Sequence, residues 1–202
     1  AIRRSSRTMS QLAYSSVPAW ARTQDVTPPP STDLPDATGR EYVLIGVGDP
    51  AAQPMAGAPS AIDLVRAWAQ VLSPEIRRSV LLGDQADTLA GQLRETLRDS
   101  TVGVRVVIAG PTGTCLRLRA TAIDAGLEDD EISVVPVGSG PVDIFCSHCR
   151  TTTRTIAAID DVISCDGCAR DLLVYYHVSR RTGAFLGFMV DAETAEPPGV
   201  PR

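Results

Sequence analysis

The feature that most constrains this chain is a pair of C-x-x-C motifs within one short stretch. Cys146 and Cys149 form the first motif, Cys165 and Cys168 form the second, and residues 150–164 separate them. Each motif can turn two thiolates toward one centre, and two such turns complete a tetrahedral four-sulfur site. The spacing therefore predicts a metal centre, with zinc as the favoured ion, iron as the alternative and disulfides as the remaining option.

The choice of metal decides what such a centre does. A closed four-thiolate zinc site is structural, because it leaves no coordination position for water or substrate. Iron held by the same four sulfurs would carry electrons instead. His148 lies inside the first motif, and with four cysteines available we expect it to be exposed or bonded to a sulfur.

The chain of 202 residues divides into four predicted regions. These are an irregular N-terminal arm at 1–40, an α/β domain at 41–140, a four-cysteine metal ribbon at 141–191 and a disordered tail at 192–202. The arm is rich in Ser, Thr and Pro, and its apolar residues follow no sustained period. Alternatively, Tyr14 and Trp20 anchor the arm on its own domain or on a partner.

Residues 41–140 alternate between strand and helix patterns. Tyr42–Val47 has the continuous apolar character of a strand buried on both faces, and Ser60 with Asp63 marks a helix start. Further strands are predicted at Ser79–Leu82, Val104–Ala109 and Ile132–Val137, with helices around Leu89–Leu97 and from Gly110 to a C-cap at Gly126. This alternation predicts a parallel sheet flanked by helices.

The region that holds the four cysteines is rich in β-forming residues. Strands are predicted within Arg150–Ile159, at Leu172–Val178 and at Ala184–Val190, and the last two flank a turn at Ser179–Gly183. A metal site at the tips of a small antiparallel sheet is a zinc-ribbon arrangement. A ribbon of this size cannot hold a large core, so metal binding would supply much of its folding energy.

Charge and composition limit the classes of partner. The formal net charge is −5, and all 19 basic residues are Arg, which excludes Schiff-base chemistry and a P-loop lysine. Proteins that bind nucleic acid usually present a basic face. A nucleic-acid-binding zinc ribbon is therefore a minor alternative. No apolar run has the length of a membrane span, and the start shows no secretory segment, so we expect a cytoplasmic location.

Two further groups of residues are candidate sites. Gly110, Pro111, Thr112, Gly113 and Thr114 form a weak nucleotide-loop candidate, because they lie where a strand meets a helix but lack the G-x-G-x-x-G fingerprint. We predict that a second group forms a docking surface for a partner; its residues are His177, Ser179, Arg180 and Arg181. The alternative for His177 is a partly buried strand histidine, and Cys115 is interpreted as a core residue.

The α/β region resembles the nicotinamide-binding module of ferredoxin reductases. The resemblance rests on Val106–Gly113 and on Leu127–Val134, where a strand enters a turn, a helix follows and an acidic turn precedes the last strand. Ala109 stands where that family has a cysteine. Residues 1–40 cannot form the flavin-binding barrel that precedes this module in the family. The resemblance thus implies a degenerate module that has lost its cofactor.

A closer resemblance covers most of the chain. The pattern from Phe145 through the four cysteines to Val174–Phe188 is similar to the C-terminal domain of the small accessory subunit of bacterial dimethylamine monooxygenase. That family implies an NADPH- and O2-dependent complex that demethylates dimethylamine to methylamine and formaldehyde. It implies haem on a catalytic partner, and FMN with an iron–sulfur cluster on a reductase partner. This chain would be a non-haem, non-flavin component without catalytic residues.

Overall fold

The computed structural model of the protein describes residues 15–22, 33–53 and 57–190. Much of the predicted arm, including Tyr14, and the whole predicted tail at 192–202 lie outside these residues. Within them, the chain forms a four-stranded sheet and a five-stranded sheet. Among these residues, no helix has the length and apolar character needed to cross a membrane.

The first unit alternates strands and helices, as the sequence predicts. Its elements are β1 (Glu41–Val47), α1 (Ala61–Val71), β2 (Arg77–Gly83), α2 (Ala86–Arg98), β3 (Val104–Gly110), α3 (Thr112–Asp124) and β4 (Ile132–Pro136). The strand order is β2-β1-β3-β4, and every neighbouring pair is parallel. The predicted parallel sheet with flanking helices is therefore confirmed.

Strand β1 lies at the centre of this unit, and all of its residues are buried. Tyr42 and Leu44 pack with α1, whereas Val43 and Ile45 pack on the opposite face with α2 and α3. Successive side chains of a strand point to opposite faces, so only a continuous apolar run can supply both layers.

The ends of helix α1 are set by local chemistry. The Ser60 hydroxyl accepts a hydrogen bond from the Asp63 amide at 3.1 Å and donates one to the Asp63 carboxylate at 2.7 Å, which confirms the predicted helix start. Val71 is the last residue of the helix, and its side chain is 67% exposed. Because the helix ends at Val71 and the backbone becomes extended at Leu72, it is Leu72 that turns into the core.

The second unit contains β5 (Val142–Cys146), β6 (Thr152–Thr155), β7 (Val162–Ser164), β8 (Asp171–Val178) and β9 (Phe185–Met189), in the order β6-β5-β9-β8-β7. Its sheet is mixed rather than wholly antiparallel, because β5 and β9 are parallel. The cysteines explain this difference. Strand β5 runs toward the cysteines and ends at Cys146, whereas β8 starts after Cys168 and runs away from them. Strand β9 is antiparallel to β8, so it runs back toward the cysteines, in the same direction as β5.

The two units share buried contacts. Leu116 of α3 and Val17 of the N-terminal segment belong to the core of the five-stranded sheet. Trp20 packs against this core and against the α2–α3 side of the parallel sheet. For residues 15–22, the structure therefore agrees with the alternative in which Trp20 anchors the arm on its own domain. The predicted boundary between 140 and 141 stays a prediction, but the two cores are in contact.

Candidate metal centre

The four cysteines meet at one end of the five-stranded sheet. Cys146 ends β5, Cys165 follows β7 and Cys168 precedes β8. All four sulfur atoms lie within 4.8 Å of one another; the Cys146–Cys168 and Cys149–Cys165 separations are 3.9 and 3.5 Å. A tetrahedral zinc site with Zn–S bonds of about 2.3 Å separates its sulfurs by roughly 3.8 Å. The cysteines therefore fit one tetrahedral ion, and we call this group the cage.

The first C-x-x-C motif forms a tight backbone turn. The amide of Cys146 donates to the carbonyl of Thr151 at 2.9 Å, and the amide of Arg150 donates to the carbonyl of Cys146 at 3.0 Å. Arg150 adopts a left-handed conformation with φ of 65°. This geometry turns the chain back after Cys149, so that both sulfurs face the same point.

The second motif forms the same kind of turn as the first, with hydrogen bonds at equivalent positions. The amide of Cys165 donates to the carbonyl of Arg170 at 2.9 Å, and the amide of Ala169 donates to the carbonyl of Cys165 at 2.9 Å. Ala169 is also left-handed, with φ of 54°. Two turns with the same hydrogen bonds thus face each other across the cage, which supplies two thiolates from each side.

Replacing the exposed Ala169 with Gly should stabilise the protein by about 1 kcal/mol, because the left-handed conformation costs an L-residue that much or more. The control is Ala90→Gly inside α2, where the same change should cost about 1 kcal/mol. Denaturant unfolding of both variants checks the signs. Destabilisation by Ala169→Gly would show that the turn does not hold this backbone conformation.

The groups around Cys149 and Cys168 shift the pKa values of these two thiols in opposite directions. The hydroxyl and the backbone amide of Thr151 lower the pKa of Cys149 to about 6. At Cys168 the backbone amide of Arg170 acts to lower the pKa, but burial and the neighbouring thiols outweigh it and raise that pKa to about 12. Four thiols must lose their protons to bind a cation, so metal affinity should rise with pH.

Gly167 lets the two turns approach each other closely. A Cβ at this position would lie 2.2 Å from the Thr151 hydroxyl oxygen and 3.0 Å from the sulfur of Cys149. Any larger side chain would push against the residue that orients Cys149. His148 is exposed on the first turn, as expected, and is not among the four grouped ligands.

The proposed docking residues lie on two sides of the turn between β8 and β9. His177 and Ser179 line a groove on one side, and the Ser16 hydroxyl lies 3.3 Å from Nδ1 of His177. Arg180 and Arg181 line a second cavity on the other side, where Arg180 forms a 3.0 Å ion pair with Asp129. The structure therefore brings these four residues to one turn, but not to one face of it.

Sequence reasoning did not identify the apolar groove floor. Phe145 and Leu186 are neighbours on the paired strands β5 and β9, and both line the groove beside His177. The alternation of Val142, Ile144 and Cys146 with Asp143 and Phe145 was the available signal, because it predicts a strand with Phe145 on the outer face.

The weak nucleotide-loop candidate is covered by the chain itself. A Cβ at Gly113 would lie 2.1 Å from the carbonyl oxygen of Pro141. The Thr114 hydroxyl donates to the Asp49 carboxylate at 3.2 Å, and Arg154 donates to the same carboxylate oxygen at 3.1 Å. A phosphate at this helix start would have to displace both the Pro141 carbonyl and the Asp49 carboxylate.

Cys115 follows this loop on α3. Its sulfur lies 3.3 Å from the carbonyl oxygen of Gly110, and burial raises the pKa of the thiol. A fully buried thiol with a raised pKa is a poor nucleophile, which agrees with the interpretation of Cys115 as a core residue.

The cage lies in a stretch of the chain that is similar to known proteins. The protein is 37% identical over 101 residues to a protein named "Heme-dependent oxidative N-demethylase delta subunit" from Ectopseudomonas mendocina (strain ymp). The match spans 50% of this chain and 57% of that relative, and no solved structure matches the chain. Residues 143–188, which include the entire cage, match the family described as "Dimethylamine monooxygenase subunit DmmA-like, C-terminal domain". This part of the chain is thus similar to that domain, in agreement with the resemblance to the accessory subunit noted from the sequence.

Proposed function

We propose that this chain is a non-haem, non-flavin subunit of an oxidative N-demethylase complex, with a role in assembly or electron-transfer coupling. The observation that carries the proposal is the cage inside residues 143–188, which match the DmmA-like C-terminal domain. Four cysteine sulfurs fill a tetrahedral coordination sphere and leave no position for substrate. The metal centre is therefore suited to a structural role, and we assign the chemistry to partner subunits.

Zinc is the proposed ion, and Cys146, Cys149, Cys165 and Cys168 would hold it. The ion would join the end of β5 to the start of β8, two strands that are not neighbours in the sheet. It would thereby fix the surface formed by β5, β9 and the β8–β9 turn. Structural zinc contributes to folding free energy directly, so a rigid surface on a small sheet is the expected result.

The relative's name and the family description support a haem-dependent oxidative N-demethylation of dimethylamine. From the resemblance noted in the sequence we further propose that the reaction uses NADPH and O2 and yields methylamine and formaldehyde, with haem on a catalytic partner and FMN and an iron–sulfur cluster on a reductase partner. We assign no step of this reaction to the Gly110–Thr114 loop or to the cage. The chain would position the partners that carry the cofactors.

Co-purification tests this proposal. A tagged full-length chain, expressed with the haem-bearing and reductase subunits, should retain both through size exclusion. Omission of the chain should lower NADPH-dependent formaldehyde release at least tenfold, while the haem spectrum of the catalytic subunit stays intact. A chain that stays alone on the column, together with full turnover in its absence, would refute the proposal.

An iron-binding electron carrier is the second candidate. The same sulfur separations suit iron, and the half-buried Cys149 and Cys168 would bring such a centre close to the surface. Electron transfer to a partner would then pass through this exposed side of the cage. The ion in the purified protein separates the two functions.

A further inference from the structure

The two edge strands of the five-stranded sheet come together at the cage. Strands β6 and β7 lie at opposite edges of the sheet, and no ladder joins them among the described strands. The amide of Asp166, which follows β7, nevertheless donates to the hydroxyl of Thr153 on β6 at 3.0 Å. The next residue, Gly167, lies so close to Thr151 that a Cβ there would lie 2.2 Å from the Thr151 hydroxyl oxygen. The sheet is therefore curled, and these contacts close it at the end that carries the cage.

Thr153 places a polar group beside the apolar core of this sheet. Its side chain is 3% exposed, and its partner across the β5–β6 ladder is the fully buried Ile144. A buried hydroxyl costs free energy unless it is hydrogen-bonded, whereas Val has nearly the same shape and no such cost. The bond to the Asp166 amide therefore accounts for a hydroxyl at this position.

The same bond holds the short turn that carries two of the ligands. Asp166 and Gly167 are the two residues between Cys165 and Cys168. While Thr153 holds the Asp166 amide, the adjacent Gly167 amide donates to the Cys165 sulfur at 3.4 Å. Two consecutive amides thus fix the turn, one to the opposite edge strand and one to a ligand. Hydrogen-bonded groups behind the ligands orient them and raise the affinity for the metal.

We propose that Thr153 is a positioning residue of the metal centre, whose hydroxyl holds the second C-x-x-C turn against the first hairpin and thereby slows release of the ion. Each motif is the turn of its own hairpin, β5–β6 or β7–β8. The ion needs sulfurs from both turns, so it leaves when the two turns separate. Thr153 is not among the four ligands and acts through Asp166 and Gly167. The inference rests on the proposed function, because it deepens the assignment of the cage as a structural zinc site.

Transfer of zinc from the loaded full-length chain to an excess of a chromogenic chelator tests the inference. Thr153→Val keeps the shape of the side chain but removes the hydroxyl, and it should release zinc roughly tenfold faster. Thr153→Ser keeps the hydroxyl and should release zinc within about threefold of the wild-type rate. The matched control is Thr152→Val, the same change at the adjacent, exposed position of β6, which should alter the rate less than about twofold.

The cobalt-loaded chain gives a second readout, because the visible absorption of thiolate-bound Co2+ depends on ligand geometry. Thr153→Val should shift these bands, and Thr153→Ser should restore them. Wild-type zinc release and an unchanged cobalt spectrum in Thr153→Val would overturn the inference and leave the cage assignment intact. Equal acceleration by Thr153→Val and Thr153→Ser would show that the residue acts by packing, which also overturns it.

The wild-type chain provides a test that does not depend on the folding of any variant. In the zinc-loaded protein the Asp166 amide should exchange slowly with solvent, as measured by nuclear magnetic resonance, because it is hydrogen-bonded to Thr153. Rapid exchange of this amide would overturn the inference. A wild-type chain that retains neither zinc nor cobalt would overturn the metal centre and the inference together.

Discussion

Replacing Cys165 with Ser is expected to abolish metal binding and unfold the five-stranded sheet. Cys165 is 3% exposed, and its sulfur accepts a hydrogen bond from the Gly167 amide in addition to its place in the cage. A structural metal provides folding free energy, and its loss from so small a sheet should cost on the order of 5 kcal/mol. Metal content and near-ultraviolet circular dichroism measure the two losses.

The control for this change is Cys115→Ala, which removes a buried cysteine outside the cage and should keep the metal. Amide hydrogen exchange in the Cys165→Ser variant should show β1 and β3 still protected, because the parallel sheet has its own apolar layers. Loss of that protection would contradict the expectation that the α/β unit folds without the cage. In that case the contacts of Leu116 and Trp20 would make one cooperative unit of the chain.

Replacing Gly113 with Ala is expected to destabilise the protein by about 3 kcal/mol, although Ala favours helices. In an open helix the same change stabilises by about 0.5–1 kcal/mol. At Gly113 the new Cβ would lie 2.1 Å from the Pro141 carbonyl oxygen and 3.0 Å from the Cα of Val142. Both obstacles are backbone atoms at the entry to β5, so relief of the overlap would push the two units apart.

Gly91 of α2 provides the matched comparison, because a Cβ there meets no atom within 4 Å. Gly91→Ala should stabilise the protein by about 0.5–1 kcal/mol. Denaturant unfolding of the two variants should therefore move the midpoint in opposite directions. If Gly113→Ala instead stabilised the protein as much as Gly91→Ala, α3 would not press against Pro141.

The parts of the fold that the sequence predicts are those with a local cause. The apolar run Tyr42–Val47 required a strand covered on both faces, and the Ser60–Asp63 pair marked a helix start. The cage was predictable because two short turns determine where four sulfurs point. None of these features needs information from distant residues.

The features that sequence reasoning missed depend on how distant elements meet. The parallel pairing of β5 with β9 follows from the position of the cage in three dimensions, not from either strand alone. Leu116 has the pattern of an ordinary helix residue, yet it enters the core of the second sheet. Arg180 and Arg181 were predicted beside His177 by adjacency, but the turn directs them to its other side.

The metal content of the purified full-length chain, measured together with its visible spectrum, tests the account most directly. We expect one zinc ion per chain and no absorption band in the visible range, as for a structural four-thiolate site. Stoichiometric iron, with a visible band that bleaches on reduction, would contradict the structural role of the cage and make the chain an electron carrier.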